Sequence, residues 1–442
     1  MSPSSRPPVK KNEELTLDVT ALTNEGQGVA RVDGYAVFVL GALANETVSA
    51  HVIKVTPSYA IAKTIEVLTP SPDRVQPGCP VFAQCGGCTL WHLDYAAQLA
   101  QKQQWVLDAL TRLGGFQSVP MQPIAGMEEP TRYRNKGSFP FGMLGGAAVF
   151  GFYAPRSHRL VPFPDCPIQE ESVVEAARRV AAWANDFSVP VYDETSGKGQ
   201  LRHVVARTTA DGERMAIVVT RGGLKHRDDL LAYLEDFDSV WHNENPKDTN
   251  VVFGERFTLL SGKPALSETI GGKRFFVSPQ SFLQVNRIQT QALYETAKTF
   301  LAAKPDETVV DAYCGVGTIS LFVAEDCSRV VGIEQVAPAI EDAKKNAEEN
   351  GVTSASFVCG DVENVLPKMV AAGEKIDAVV LDPPRKGCDI AALEAIAKSG
   401  ANRVVYVSCN PATLARDCKL LAEHGFSLSA VRPVDMFPQT CH

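Results

Sequence analysis

Cys409 stands where a run of β-formers, Val404-Val405-Tyr406-Val407, gives way to Asn410-Pro411 and a helical stretch. That density of valine and tyrosine predicts a short buried strand, and Asn-Pro predicts a turn into a helix. A thiol at such a junction is held on a rigid edge, where its thiolate can act as a nucleophile near neutral pH. The bland alternative is a buried, inert cysteine. Four further polar positions close apolar runs in the same way. Tyr313 follows TVVDA, Glu334 follows RVVGI, Asp361 follows ASFVCG and Asp382 follows DAVVL. Gly315-Val316-Gly317 lets the backbone approach a ligand, and Glu334, about twenty residues on, can accept hydrogen bonds from ribose hydroxyls. Together they fit a nucleoside cofactor. S-adenosylmethionine suits the pattern because it has no pyrophosphate to cradle. Asp382 precedes Pro383-Pro384, a stiff elbow that fixes a carboxylate. With Cys409 it fits modification of a base: the thiolate adds to a ring carbon, and the neighbouring carbon attacks a sulfonium methyl. Such a base must be splayed out of its stack.

A second constellation is made of thiols. Cys79, Cys85 and Cys88 are spaced C-x5-C-x2-C around Gly86-Gly87, and Cys166 follows in PFPDCPIQ. Four thiolates can hold a tetrahedral zinc or an iron–sulfur cluster. The x5 gap is wider than zinc knuckles use, and the remote fourth cysteine favours a cluster. The chain has eleven cysteines and an N-terminus, MSPSSRPPVKKNEE, without the apolar core of a signal peptide. These features point to metal, cluster or catalytic thiols in a reducing cytoplasm.

The elements that must position these residues are legible from periodicity. From Thr308 onward five apolar strands alternate with helical stretches, notably AIEDAKKNAEEN, which predicts a doubly wound parallel sheet with ligands outside its carboxyl ends. Residues 13–70 carry short strands separated by Gly and Asn/Asp turns, the pattern of a five-stranded OB-type barrel. Residues 1–12 read as a disordered tail, and Pro70, Pro72 and Pro77 as a stiff linker. Asp94 to Leu113 has helical spacing and stops at Gly114-Gly115. Residues 119–260 mix strands with a helix near Ser172 to Asn185, an α+β middle domain. No apolar run reaches the roughly eighteen residues of a membrane span. The net charge of −8 argues against a surface coated for nucleic acid. Local basic patches interleaved with aromatics nevertheless suit single-stranded RNA. TRYRNK supplies Arg132, Asn135 and Lys136 as candidate RNA contacts. No obligate protein partner is evident.

The motifs taken together resemble the S-adenosylmethionine-dependent RNA uridine-5 methyltransferases, in particular the iron–sulfur-containing 23S rRNA uracil-5 methyltransferases. The residues that carry the resemblance are SFLQVN (281–286), DAYCGVGT (311–318), GIE (332–334), LDPPRKG (381–387), SCNPATLARD (408–417), DMFPQT near the end, the cysteine quartet and the N-terminal barrel, which is similar to a TRAM domain. The resemblance implies a Rossmann-like class I methyltransferase domain over 93–118 and 261–442, a TRAM/OB-like barrel over 13–70, and a middle domain over 71–92 and 119–260 that carries the cluster. It implies Cys409 as the nucleophile on carbon 6 of uracil; an RNA adduct that persists without that thiol would move the nucleophile elsewhere, to Cys314 or Cys388. Gln284, Tyr313, Glu334 and Asp382 would contact S-adenosylmethionine, with Asp361 near its adenine. Cys79, Cys85, Cys88 and Cys166 would ligate a 4Fe-4S cluster, and Phe282 would stack on an RNA base. The implied substrate is 23S rRNA, with tRNA as the alternative; relatives acting on tRNA usually lack the cluster and barrel. The family pattern continues past DMFPQTxH to a glutamate that removes the proton from carbon 5, whereas this sequence stops at His442. That leads to the expectation of a truncated chain, or of an RNA-binding assembly factor with impaired turnover.

Overall fold

The structure is a computed structural model, and it describes residues 7–442. Its described residues divide into two compact units, the first comprising 7–105, 152–161 and 437–442, the second 106–151 and 162–436. The second unit holds most of residues 119–260 and 261–442, while 71–105, 152–161 and 437–442 lie in the first.

The first unit contains β1 (Glu14–Val19), β2 (Ala21–Leu22), β3 (Gly28–Val32), β4 (Tyr35–Leu40), β5 (Glu46–Val55) and β6 (Tyr59–Thr69). They form a six-stranded sheet in the order β1-β5-β6-β4-β3-β2, antiparallel except for β4 and β6. Alternation fixes its inner face: Val48, Ala50 and Val52 of β5 are buried with Val37 and Val39 of β4. Val9, from the segment expected to be a disordered tail, is also buried in this core. The Asn12 main-chain N–H donates to Val52. The tail reading is thus corrected from residue 7, and residues 1–6 lie outside the described residues. Where the barrel meets its linker, Arg74 holds the buried Glu46 carboxylate with two hydrogen bonds, at 2.5 and 2.8 Å.

Helix α1 (Tyr95–Arg112) crosses the division between the units. Beyond it come β7 (Lys136–Leu144), β8 (Ala147–Tyr153), β9 (Leu160–Pro162), α2 (Glu171–Asp186), β10 (Leu201–Thr208), β11 (Arg214–Thr220), α3 (Arg227–Tyr233), β12 (Ser239–Glu244) and β13 (Arg256–Gly262). Their sheet runs β13-β12-β11-β10-β7-β8-β9. A hairpin of β14 (Leu266–Ile270) and β15 (Lys273–Val277) then leads into α4 (Arg287–Leu301).

The rest is the alternating α/β sheet: β16 (Thr308–Ala312), α5 (Thr318–Val323), β17 (Arg329–Glu334), α6 (Ala337–Glu349), β18 (Ala355–Cys359), α7 (Val362–Ala371), β19 (Ala378–Leu381), α8 (Ile390–Lys398), β20 (Arg403–Tyr406) and α9 (Pro411–Glu423). Its order is β18-β17-β16-β19-β20, and every neighbouring pair is parallel. All of β16 and β19 is buried, as expected where helices cover both faces. The chain winds outward from β16 in both directions, so the β16/β19 boundary is the switch point at which such sheets open a crevice.

Candidate active site

Register decides which side chains meet. Ala312 pairs with Ile333 and Leu381, Glu334 with Cys359, and Leu381 with Tyr406. Tyr313, Glu334, Asp361, Asp382 and Cys409 consequently emerge along one carboxyl edge. Tyr313 and Asp382 flank the switch point itself.

Glu334 is held by the backbone around it. One carboxylate oxygen accepts from the Gly315 N–H at 3.2 Å, and the other from the Val336 N–H at 2.8 Å. Tyr313 (φ 67°), Gly315 (φ 55°) and Gly317 (φ 80°) all take the left-handed conformation, so this loop turns sharply back over β16. A Cβ on Gly332 would meet the Phe357 ring at 2.6 Å and Cys314 Sγ at 2.8 Å. The glycine therefore lets Cys314 tuck under the loop. Cys314 is buried, and burial pushes its thiol far up, which makes it a packing residue rather than a second nucleophile. Burial likewise raises the Tyr313 phenol, which lies in hydrogen-bonding contact with Cys388.

Asp382 is half-buried, and burial pushes its carboxyl up to about 6. Behind it Asp311 is fully buried in β16, with Oδ2 accepting from the Ser320 hydroxyl at 2.6 Å and Oδ1 left without a partner. Burial, with Asp382 and Glu334 adding repulsion, pushes Asp311 up to about 7. Sequence reading saw Asp311 only as part of a motif. The available signal was one carboxylate inside the all-apolar run VVDA.

Cys409 is exposed just past the end of β20. Its surroundings are fixed on both flanks. Asn410 caps α9 through the Ala412 N–H at 3.0 Å, with Pro411 in the first turn. The Ser408 hydroxyl accepts from the Asn410 N–H at 3.1 Å. The loop carrying Asp382 is tied to α9: the Arg416 guanidinium donates to the Lys386 carbonyl at 3.0 Å, and fully buried Asp417 accepts from the Cys388 N–H (2.8 Å) and the Tyr406 hydroxyl (2.6 Å). Asp361 is exposed at the start of α7, where its carboxylate accepts from the Asn364 amide at 3.3 Å.

The loop between β15 and α4 carries Phe282, 76% exposed, and half-buried Gln284, whose amide has no hydrogen-bond partner among the described residues. The Ser281 hydroxyl anchors this loop to Asp342 of α6 at 3.0 Å. The Asn135 N–H donates to the Val285 carbonyl at 2.8 Å.

Two expected RNA contacts are tied up within the protein. Arg132 makes two 2.7 Å hydrogen bonds to Asp165, and Glu171 lies 3.5 Å away. Asn135 is buried, and its amide donates to Glu268 at 3.2 Å. Both side chains therefore carry ties within the protein. Lys136 remains, half-buried and without a carboxylate partner among the described residues.

Cys79, Cys85, Cys88 and Cys166 are half-buried. Among the described residues, no group of three or more His, Cys, Asp or Glu side chains is placed to hold a metal ion. Cys85 Sγ accepts from the Gly87 N–H at 3.3 Å, and burial pushes its thiol up. The geometry gives the expected 4Fe-4S cluster no support, and no step is derived through one.

A family model described as tRNA (Uracil-5-)-methyltransferase matches residues 267–442, and a TRAM domain model matches residues 8–65. An uncharacterized RNA methyltransferase of Halalkalibacterium halodurans is 46% identical over 441 residues, covering 98% of this chain and 96% of that protein. The chain belongs to the RNA uracil-5 methyltransferase family. An uncharacterized RNA methyltransferase of Clostridium tetani is 44% identical, again over 98% of this chain and 96% of its own length. The crystal structure of Pyrococcus abyssi tRNA (uracil-54, C5)-methyltransferase in complex with S-adenosyl-L-homocysteine is similar, with TM-score 0.78 and 26% identity. The match covers 97% of this chain and 98% of that one. This RNA methyltransferase thus pairs an N-terminal TRAM sheet with a C-terminal α/β methyltransferase fold. No helix among its described residues is long and apolar enough to cross a membrane.

Proposed function

We propose that this methyltransferase uses S-adenosylmethionine to methylate carbon 5 of a specific uridine in 23S rRNA, through a covalent adduct at Cys409. The reading is carried by one observation: an exposed cysteine and a backbone-held glutamate share the carboxyl edge of a parallel sheet in a chain of this family. S-adenosylmethionine, when bound, supplies the methyl group as an electrophile. Glu334, already oriented by two N–H groups, suits ribose hydroxyls, and Gly315 has open space where a side chain would stand. Tyr313, Asp361, Asp382 and Gln284 complete the proposed cofactor contacts. The Cys409 sulfur bonds to carbon 6 of uracil, and the electron pair displaced to carbon 5 takes up the methyl. Loss of the carbon 5 proton to a base re-forms the ring double bond and expels the sulfur. Phe282, exposed beside Gln284, offers a stacking surface for a base taken out of the RNA stack.

A tRNA substrate is the second reading, favoured by the likeness to the Pyrococcus abyssi enzyme over nearly the whole chain, barrel included. Because that match spans the TRAM region, the barrel does not separate the two. The proposed cluster rests on the C-x5-C-x2-C spacing and Cys166 alone. The deciding experiment incubates the protein with radiolabelled S-adenosylmethionine and separate 23S rRNA and tRNA transcripts, then maps the label. Label in 5-methyluridine of 23S rRNA is expected. Label confined to tRNA moves the substrate, and label in neither transcript defeats the reading.

A further inference from the structure

Lys136, at the start of β7, pairs directly across the sheet with Arg207 of β10. Two cations opposite each other on neighbouring antiparallel strands repel, and this pair is largely withdrawn from water. Arg207 is 6% exposed, and its Nη1 has no hydrogen-bond partner. The same guanidinium reaches the Ser281 carbonyl through Nη2 at 3.3 Å. The nearest carboxylate, Glu268, favours the Arg207 cation but is shared with other donors. Glu268 is engaged by the Asn135 amide and by the N–H groups of Ala210 and Thr269, with Arg287 3.7 Å away. Arg287 is further paired with Glu170 at 2.6 Å. The cluster therefore sets Lys136, Arg207 and Arg287 against Glu170 and Glu268, an excess of one cation. Burial, and Arg207 beside it, draw the Lys136 ammonium down to about 8, and burial draws Arg207 down to about 10. A buried, mutually repelling cation pair that its carboxylates only partly offset is suited to accept an anion. The neighbouring chain indicates which. Ser281, in contact with Arg207, precedes Phe282, the large apolar side chain 76% exposed on this loop. A cation pair beside an exposed aromatic is the arrangement that holds a single strand, phosphate to cation and base to ring.

We propose that Lys136, backed by Arg207, binds a phosphodiester oxyanion of the RNA strand whose base stacks on Phe282. This rests on the reading of the chain as an enzyme acting on RNA. The test measures binding of a short fluorescent oligouridylate to the full chain across a salt series. Lys136→Gln should lose affinity several-fold at about 0.1 M salt, and its slope of log Kd against log salt should flatten by about 0.7, the loss of one phosphate contact on a single strand. Lys136→Arg should retain both. Relief of the repulsion should make Lys136→Gln melt at a higher temperature than the parent chain, and Lys136→Met, which keeps the stem length, repeats the comparison if Gln disturbs the strand. Unchanged affinity and slope overturn the proposal, as does a lower melting temperature with RNA binding intact, which would mark a structural lysine. Inorganic phosphate that stabilises the parent chain as much as the oligouridylate does would assign the site to a free anion and overturn the RNA assignment. Methyl transfer followed in the same samples keeps the two readings apart. A chain that transfers nothing yet binds RNA through Lys136 loses its proposed function and keeps this site.

Discussion

Asp311 and Asp382 lie at the switch point in surroundings that oppose their charge, up to about 7 and about 6 respectively. A carboxyl whose value is raised on folding binds its proton more tightly folded than unfolded. Its favourable contribution is complete below about pH 4, the unfolded value, and is lost as pH rises through the folded value. Asp311→Asn keeps an acceptor for Ser320 and removes that loss. The variant should melt at a higher temperature than the parent chain at about pH 8 and show no gain near pH 4, as scanning calorimetry would read. A gain of equal size at both values would mean that packing, not charge, sets the difference. The opposite kind of residue is Cys409, exposed and flanked by a helix that Asn410 caps. Cys409→Ala should abolish the RNA adduct that survives denaturing electrophoresis while leaving S-adenosylmethionine binding, measured calorimetrically, within about twofold. An adduct that persists places the nucleophile elsewhere. Cys409 was legible because Asn410-Pro411 breaks a strand beside it. The state of Asp311 was not, since nothing in VVDAY reveals that one oxygen finds Ser320 nine residues later and the other finds nothing.

Asp417 joins three elements. Its carboxylate takes the Tyr406 hydroxyl at the end of β20, the Cys388 N–H at the end of the Asp382 loop, and the Arg416 guanidinium on α9 at 2.7 Å. Gly387 closes in tightly enough that a Cβ there would stand 2.5 Å from Asp417 Oδ2. Removing this buried carboxylate strands the Cys388 N–H and the half-buried Tyr406 hydroxyl, at about 1–3 kcal/mol per unsatisfied group. Asp417→Ala should therefore lose about 3 kcal/mol or more of stability in urea titrations. Asp417→Asn, which retains an acceptor, should lose less while lowering kcat, because the Asp382 loop and Cys409 no longer share one anchor. An Ala variant as stable as the parent would refute this account. Periodicity revealed the parallel strands and helices at this scale because short apolar runs alternate regularly with helical stretches. It read five strands in the barrel where six form, since β2 is two residues long and too short to alternate. It missed the burial of Val9 because one valine among lysines and prolines has no period.

At the scale of the chain, residues 106–151 and 162–436, which hold most of the expected middle and catalytic domains, form one compact unit. The joining bonds, such as Asn135 N–H to Val285 and Arg207 to Ser281, link residues far apart in sequence that no local pattern connects. The same limit governs the cysteines: C-x5-C-x2-C is visible as spacing, but spacing does not say whether the thiols converge. Chemistry can decide. Ligation by iron must displace thiol protons, and burial already raises Cys85, so metal affinity should climb steeply with pH. If the proposed cluster forms, protein purified without oxygen carries iron and acid-labile sulfide with a broad visible absorption that bleaches on exposure to air. Cys85→Ser should remove both, and loading of the apoprotein should be stronger at about pH 8.5 than at about pH 7. If strictly anaerobic protein carries neither iron nor sulfide, the raised Cys85 thiol is simply the ordinary state of a half-buried cysteine. The motif then orders the turn around Gly86-Gly87, and a 23S rRNA substrate loses the one feature that set it apart from tRNA.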